Sequence, residues 1–127
     1  MYMQNSVIDL IIRIKNSYMT RNEQVEVLFS KFNEEVLKKL LQLGFIKKFE
    51  TKEKTILVEL IYKDKKPAMT EVQLYSKPGR RYYVSYKNLK LVMGGLGYSL
   101  ISTSQGVLTN KEAREKKVGG ELLFSIW

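Results

Sequence analysis

Two groups of side chains in this sequence have types and spacings suited to chemistry. In the first, Lys77, Arg80 and Arg81 flank a Pro78-Gly79 turn and run directly into Tyr82, Tyr83 and Tyr86. On a strand, Arg81 and Tyr83 point to one side and Tyr82 to the other. One face then offers a guanidinium for phosphate and a ring for stacking on a base. The same alternation predicts a mixture, one tyrosine buried in the core and the other available. The second group is the run Ser102-Thr103-Ser104-Gln105-Gly106, which lies between two strand-like segments. Its composition also suits an ordinary hairpin tip. Short hydroxyls let a backbone come close to a partner, donate to phosphate or a 2′-hydroxyl, and touch base edges without the bulk of arginine.

Covalent and metal chemistry is narrowed sharply by two absences. The 127 residues contain no cysteine and no histidine. Ser-His-Asp and Cys-His nucleophilic sites are therefore excluded, as are zinc sites that draw most of their ligands from Cys or His. Carboxylates remain, but Glu112 and Glu115 sit on a short helical stretch among Lys111, Arg114 and Lys116, where solvated ion pairs are the natural reading. Gly94-Gly95-Leu96-Gly97 fits neither a dinucleotide fingerprint nor a phosphate-binding P-loop. Those glycines are expected to serve tight turns and close packing. Neither an enzyme, a cofactor, a metal nor a small-molecule substrate is expected.

The charge balance points elsewhere. Lys and Arg number 22 against 13 Asp and Glu, a net charge of +9, and the isoelectric point is near 9.7. Such a surplus suits a polyanion. It is uneven: residues 1–64 carry 11 basic and 9 acidic side chains, whereas residues 65–127 carry 11 and 4. The second half is where that polyanion, nucleic acid or an acidic membrane surface, is expected to sit. No apolar run approaches the roughly 18 residues of a membrane span. The N-terminal run Val7–Ile14 is interrupted by Asp9 and Arg13 and resembles neither a signal nor a transit peptide. A cytosolic protein, or one made inside an organelle, with no membrane partner, fits these features.

The elements that must position these groups follow from periodicity. Val7, Ile11, Ile14 and Tyr18 predict a helix over 6–18, with Ser6 and Asp9 as its capping pair. Arg13 and Asn16 fall off the apolar stripe. Gln24–Phe29 alternates as a strand. Ser30 caps a second helix whose stripe is Phe32, Val36, Leu40 and Leu43, and Gly44 ends it. Strands are expected over 45–51 and 55–62, and the polar stretch 63–67 is the candidate linker. Beyond it, Met69–Tyr75 and Arg81–Val84 are strand-like, and Lys77–Arg80 reads as a type II turn. Leu89–Met93 predicts a helical turn. Tyr98–Thr103 and Val107–Thr109 predict strands. A short capped helix runs to Lys117, with Thr109 and Glu112 as its capping box. Gly119-Gly120 breaks it, and Glu121–Trp127 is the last strand. The fold class is α+β in two lobes. Residues 1–64 form an α-β-α-β-β lobe, and residues 65–127 a mostly antiparallel β lobe with a short helix.

The string Ser102-Thr103-Ser104-Gln105-Gly106-Val107-Leu108-Thr109, followed by Ala113-Arg114 and Gly119-Gly120-Glu121, resembles the C-terminal signature of the eighth small-subunit ribosomal protein family. Further matches occur in order: Met3-Gln4, Asp9, Arg13-Ile14, Asn16, Ser30-Lys31, Gly44-Phe45-Ile46, Ser76-Lys77-Pro78-Gly79, Arg81, Tyr83, Val92-Met93 and Gly95-Leu96-Gly97. The resemblance spans essentially the whole chain. It implies a two-lobed α+β protein of the bacterial or organellar type that binds a helix in the central domain of small-subunit ribosomal RNA early in assembly, mainly through the second lobe. It also implies residue roles. Ser102, Thr103 and Ser104, in the loop with Gln105 and Gly106, would meet an irregular internal loop of that helix. Tyr83 would pack on a sugar or base. Glu121 would support the loop or accept from RNA, and Lys77 and Arg81 would take phosphates. Arg13, Lys15, Asn16 and Lys31 would add contacts from the first lobe. Neighbouring small-subunit proteins are the other expected partners. The same residues would serve translational autoregulation through a look-alike messenger hairpin. The sequence departs from the family pattern at Asn5-Ser6, where Asp-Pro is frequent, at Gln105 for a commoner Lys, at Lys90 for Pro and at Gly94 for Ala. Trp127 is an unusual last residue.

Overall fold

The computed structural model describes residues 2–77 and 79–127, with backbone alone for residues 2–6. The Ser6 side chain and Pro78, both assigned roles above, lie outside the described residues. The chain divides into two compact units, Tyr2–Thr70 and Glu71–Trp127.

In the first unit, helix α1 (Tyr2–Met19) buries the stripe Val7, Leu10, Ile11, Ile14 and Tyr18. The helix begins four residues before the expected start at Ser6, so the Ser6–Asp9 capping pair is not its N-terminus. Asp9 instead pairs with Arg13 one turn on, Arg13 Nε to Asp9 Oδ2 at 2.9 Å. Strand β1 (Gln24–Leu28) leads to helix α2 (Lys31–Leu43), which is capped as its sequence demands. Ser30 Oγ accepts from the Asn33 N–H at 3.0 Å. Gly44, at φ +85, closes the helix while the Phe45 N–H reaches back to the Leu40 carbonyl at 2.9 Å. Asn33 is buried, and its side-chain amide donates to the Leu28 carbonyl at 3.1 Å, joining the first turn of α2 to the end of β1. Helix α1 packs against both α2 and β1.

Strands β2 (Lys48–Thr51) and β3 (Thr55–Glu59) complete an antiparallel sheet of order β1-β3-β2. Val27 lies opposite Ile56, and the half-buried Val25 opposite Val58, so one face of the sheet is apolar and turned to the core. Both strands are shorter than expected. Phe45 and Ile46 enter the core from the turn after α2, and Tyr62 belongs to a separate hairpin. That hairpin, β4 (Tyr62–Lys63) with β5 (Lys66–Pro67), occupies the stretch expected to be a linker. Asp64 and Lys65 both take positive φ, +52° and +65°, as a tight two-residue turn requires. Arg21 holds the hairpin from outside: its guanidinium lies 5.8 Å from the Tyr62 ring centre and donates to the Lys65 carbonyl.

The second unit is a five-stranded antiparallel sheet built around one strand. Strand β10 (Gly120–Ile126) lies between β8 (Tyr98–Thr103) on one side and both β6 (Val72–Leu74) and β7 (Tyr83–Val84) on the other; β9 (Gly106–Thr109) extends the sheet beyond β8. Helix α3 (Asn110–Lys116) packs on β8 and β9. It carries a full capping box: Thr109 Oγ1 accepts from the Glu112 N–H at 3.1 Å, and Glu112 Oε1 accepts from the Thr109 N–H at 3.0 Å. Leu89, Ile101, Leu108, Ala113 and Leu122 form the core beneath it. The helical turn expected over 89–93 is not there. Single 3-10 turns at Tyr86–Asn88 and Met93–Gly95 lie on either side, and residues between them are extended. Leu89 is needed as a core side chain, and Gly94 and Gly95 take positive φ, which moves the turn to the glycines.

One buried hydroxyl joins three segments of the first unit. Tyr18 Oη donates to the Phe45 carbonyl at 2.6 Å and accepts from the Ile61 N–H at 3.1 Å. Burial pushes its phenol above the ordinary 10.0, and the Ile61 N–H, which favours the charged form, only partly offsets this. The folded state therefore favours the neutral phenol, so its contribution is complete below that pH and is lost as pH rises through the raised value. Tyr18→Phe is expected to lower the stability to urea by about 1–3 kcal/mol at neutral pH, and to flatten the alkaline decline expected of the parent protein.

Candidate nucleic-acid interface

Three residues that lie far apart in sequence are brought into one row across the sheet. Glu121 of β10 is the register partner of Ser102 on β8 and of Tyr83 on β7. Directly opposed residues of antiparallel strands share a face and stand about 5 Å apart. Tyr83, Glu121 and Ser102 therefore present ring, carboxylate and hydroxyl side by side. The Tyr83 ring is 67% exposed. Glu121 is half-buried, and its Oε2 is buried with no hydrogen-bond partner among the described residues. A buried carboxylate oxygen without a donor is costly, and an incoming donor would relieve that cost.

The row exists because β10 comes unusually close to its neighbours. A Cβ at position 120 would stand 2.1 Å from the Ser102 carbonyl oxygen, and one at position 119 would stand 2.5 Å from that of Val84. Only glycine fits either place. Gly119-Gly120 reads from sequence as a helix breaker, but the helix already ends at Lys117, which takes the left-handed conformation at φ +57. The real task of the pair is backbone approach. Ser76, which sequence reasoning singled out only within the family match, locks the other side. Its buried hydroxyl donates to the Leu122 carbonyl at 2.8 Å and accepts from the Tyr82 N–H at 2.9 Å, fixing the segment that leads into Tyr83.

The hydroxyl run is a two-residue hairpin turn in which the three hydroxyls divide the work. Thr103 pairs with Gly106 across the turn. Its Oγ1 donates to the Gly106 carbonyl at 2.8 Å and accepts from the Gln105 N–H at 3.0 Å, so it holds the turn. Ser104 and Gln105 are exposed at the tip, and Ser102 is half-buried in the row. Gly106 takes φ +101, which the turn needs.

The remaining expected residues are placed as follows. Lys77 and Arg80 close their own turn through paired backbone bonds of 3.1 and 2.9 Å, with Gly79 at φ +76 and both side chains exposed. Arg81 is half-buried. The expected burial of one tyrosine is not observed: Tyr82 is 49% exposed and Tyr83 more so. Strand β7 is a two-residue edge piece in which Val84 takes the place against the core, and Tyr82 leans on Tyr75 with ring centres 5.5 Å apart. In the first unit, Arg13 and Asn16 are exposed on α1, Arg13 already bound to Asp9. Lys15 is half-buried on the same helix, and Lys31 is exposed at the first turn of α2, where a positive charge opposes the helix dipole. Lys111, not expected as a site residue, donates to the Gly95 carbonyl at 3.0 Å and sits 4.7 Å from the Tyr98 ring centre.

The family model described as "Ribosomal protein S8" matches residues 5–127. The chain is 44% identical to "Small ribosomal subunit protein uS8" of Dictyoglomus thermophilum over 131 residues, covering the whole of both chains. It is 43% identical to the protein of the same name from Petrotoga mobilis over 129 residues, covering 95% of this chain and 96% of the relative. It is 40% identical to "Small ribosomal subunit protein uS8c" of Mesostigma viride over 130 residues, covering 97% of this chain and 98% of the relative. Gly120→Ala is expected to lower the stability of the protein by about 1–3 kcal/mol in a urea titration, because β10 must retreat from Ser102.

Proposed function

The chain belongs to the ribosomal protein S8 family, and we propose that it is a structural constituent of the small ribosomal subunit that binds ribosomal RNA through its second unit. It is not an enzyme. Its partners are the RNA of that subunit and neighbouring subunit proteins, in a bacterial cytoplasm or an organelle. The RNA element is a helix of the central domain with an irregular internal loop, bound during assembly.

The observation that carries this reading is the row Tyr83–Glu121–Ser102 beside the exposed tip Ser104–Gln105. The row offers a flat ring for a sugar or base, a carboxylate oxygen that needs a donor, and small hydroxyls that permit close approach. An irregular loop supplies what these want: unstacked bases, and 2′-hydroxyls that both donate and accept. Lys77, Arg80 and Arg81 supply the less selective attraction to phosphate. Arg13, Lys15, Asn16 and Lys31 add contacts from the first unit. The same row would accept a hairpin of like shape in the protein's own messenger, which is the basis for autoregulation.

The test compares two RNA hairpins over a range of salt, one with the irregular internal loop and one with that loop closed into regular pairs. Affinity for both is expected to fall with salt, by about 0.9 in log K per phosphate contact on a duplex for each tenfold rise in salt, while preference for the irregular hairpin persists. Equal binding that collapses together would leave only a basic polyanion binder. Ser104→Ala is expected to weaken the irregular complex by about 1–3 kcal/mol and leave the regular one nearly unchanged. Equal loss on both would make the tip a fold element and not a reader.

A further inference from the structure

The other face of the same sheet holds an open hollow of about 420 Å³, which has only Tyr83 in common with the row. Side chains alternate along β8, and the bulge between Leu122 and Phe124 reverses the sense along β10, so Ser99 and Ser125 face away from Ser102 and Glu121. Ser99 and Ser125 are register partners and form part of the hollow's lining. Their hydroxyls lie 2.8 Å apart and are 6% and 3% exposed as residues. Two hydroxyls carry two protons, and the bond between them uses one. Among the described residues neither hydroxyl has another partner, so one O–H remains without an acceptor. Tyr75 and Tyr82 form an aromatic wall, with their rings tilted at 54°. Lys90 and the exposed Leu91 are also part of the lining, which contains no carboxylate among the described residues.

We propose that this hollow binds a single unstacked nucleobase, with the base on the Tyr75–Tyr82 wall, a ring nitrogen or carbonyl accepting from the Ser99–Ser125 pair, and Lys90 near the attached phosphate. Each part matches one part of a nucleotide. The wall offers a π-face of the kind on which bases stack. The buried hydroxyl pair offers the donor that every base can accept. One cation without a competing acid suits a phosphate. Asn110 keeps the site in shape: its Oδ1 accepts from the Ser99 N–H at 3.2 Å, and its Nδ2 donates to the Lys90 carbonyl at 3.0 Å. The proposal rests on the chain being an RNA binder but concerns a hollow whose donor pair, aromatic wall and cation lie outside the row, with Tyr83 alone shared.

The experiment titrates the 15N-labelled full-length protein with adenosine 5′-monophosphate and uridine 5′-monophosphate, using ribose 5-phosphate and inorganic phosphate as controls. Saturable shifts of the Ser99, Ser125 and Tyr82 amide signals with at least one nucleotide, and none with the controls, are expected. Tyr82→Ala, which spares the backbone bonds of Tyr82, is expected to weaken that binding on the order of 10-fold. Ser125→Ala is expected to weaken it by several-fold. Unmoved pocket signals, equal shifts with ribose 5-phosphate, or nucleotide binding indifferent to both variants would each overturn the proposal. Hairpin binding by the same variants is measured in parallel. Retained preference for the irregular hairpin with no nucleotide in the hollow defeats this inference alone, whereas loss of that preference in the parent protein defeats the RNA reading itself.

Discussion

The second unit depends on one close approach. The backbone of Gly119 and Gly120 passes so near the carbonyls of Val84 and Ser102 that no side chain fits between. Because of that approach, one strand can bridge β7 and β8 at the same residue, and Glu121 meets Tyr83 and Ser102 together. Further along, the register shifts between Leu122 and Phe124, and the strand then pairs with β6. The bulge keeps Leu122 over the core while Ser125 comes opposite Ser99. Both faces of the sheet are thus set by the path of β10.

Under the proposed function, the chemistry of the candidate interface divides between groups that would attract and groups that would discriminate. Exposed lysines and arginines act over a Debye length and do not distinguish one phosphate from another. The row does the reverse. Its members are short or held, and the bonds of Thr103 and Ser76 remove the freedom that a partner would otherwise have to quench on binding. That arrangement suits a partner whose shape is irregular, since a regular duplex would present its bases stacked and out of reach.

Much of this was legible in the residues themselves. The apolar stripe of α1, the cap at Ser30, the left-handed Gly44 and the capping box at Thr109 are all local signals that appear where their residues place them, whereas the stripe of α2 is centred on Val36, Leu37 and Leu40 and leaves Phe32 and Leu43 half-buried. What escaped was long-range. Asp64 and Lys65 carry no glycine to announce a tight turn, and the hairpin there is held by Arg21, more than forty positions earlier in the chain. The helical turn expected at 89–93 yielded to the core's need for Leu89. The meeting of Tyr83, Glu121 and Ser102 depends on strand order, which periodicity does not encode. The family signature pointed to all three residues, but their alignment in one row is a property of the sheet.

The order of the strands along the chain has a consequence for how the protein comes into being. The strand that pairs with β6, β7 and β8 follows all of them in sequence. During synthesis the first unit can close on its own contacts, because its sheet order β1-β3-β2 is complete by Glu59. The β8–β9 hairpin and its tip can also form early, since their bonds are local. The second sheet has no centre until β10 emerges. A nascent chain therefore displays the hydroxyl tip before it has the carboxylate beside it, and under the proposed function the discrimination between RNA shapes would arrive in a single late step.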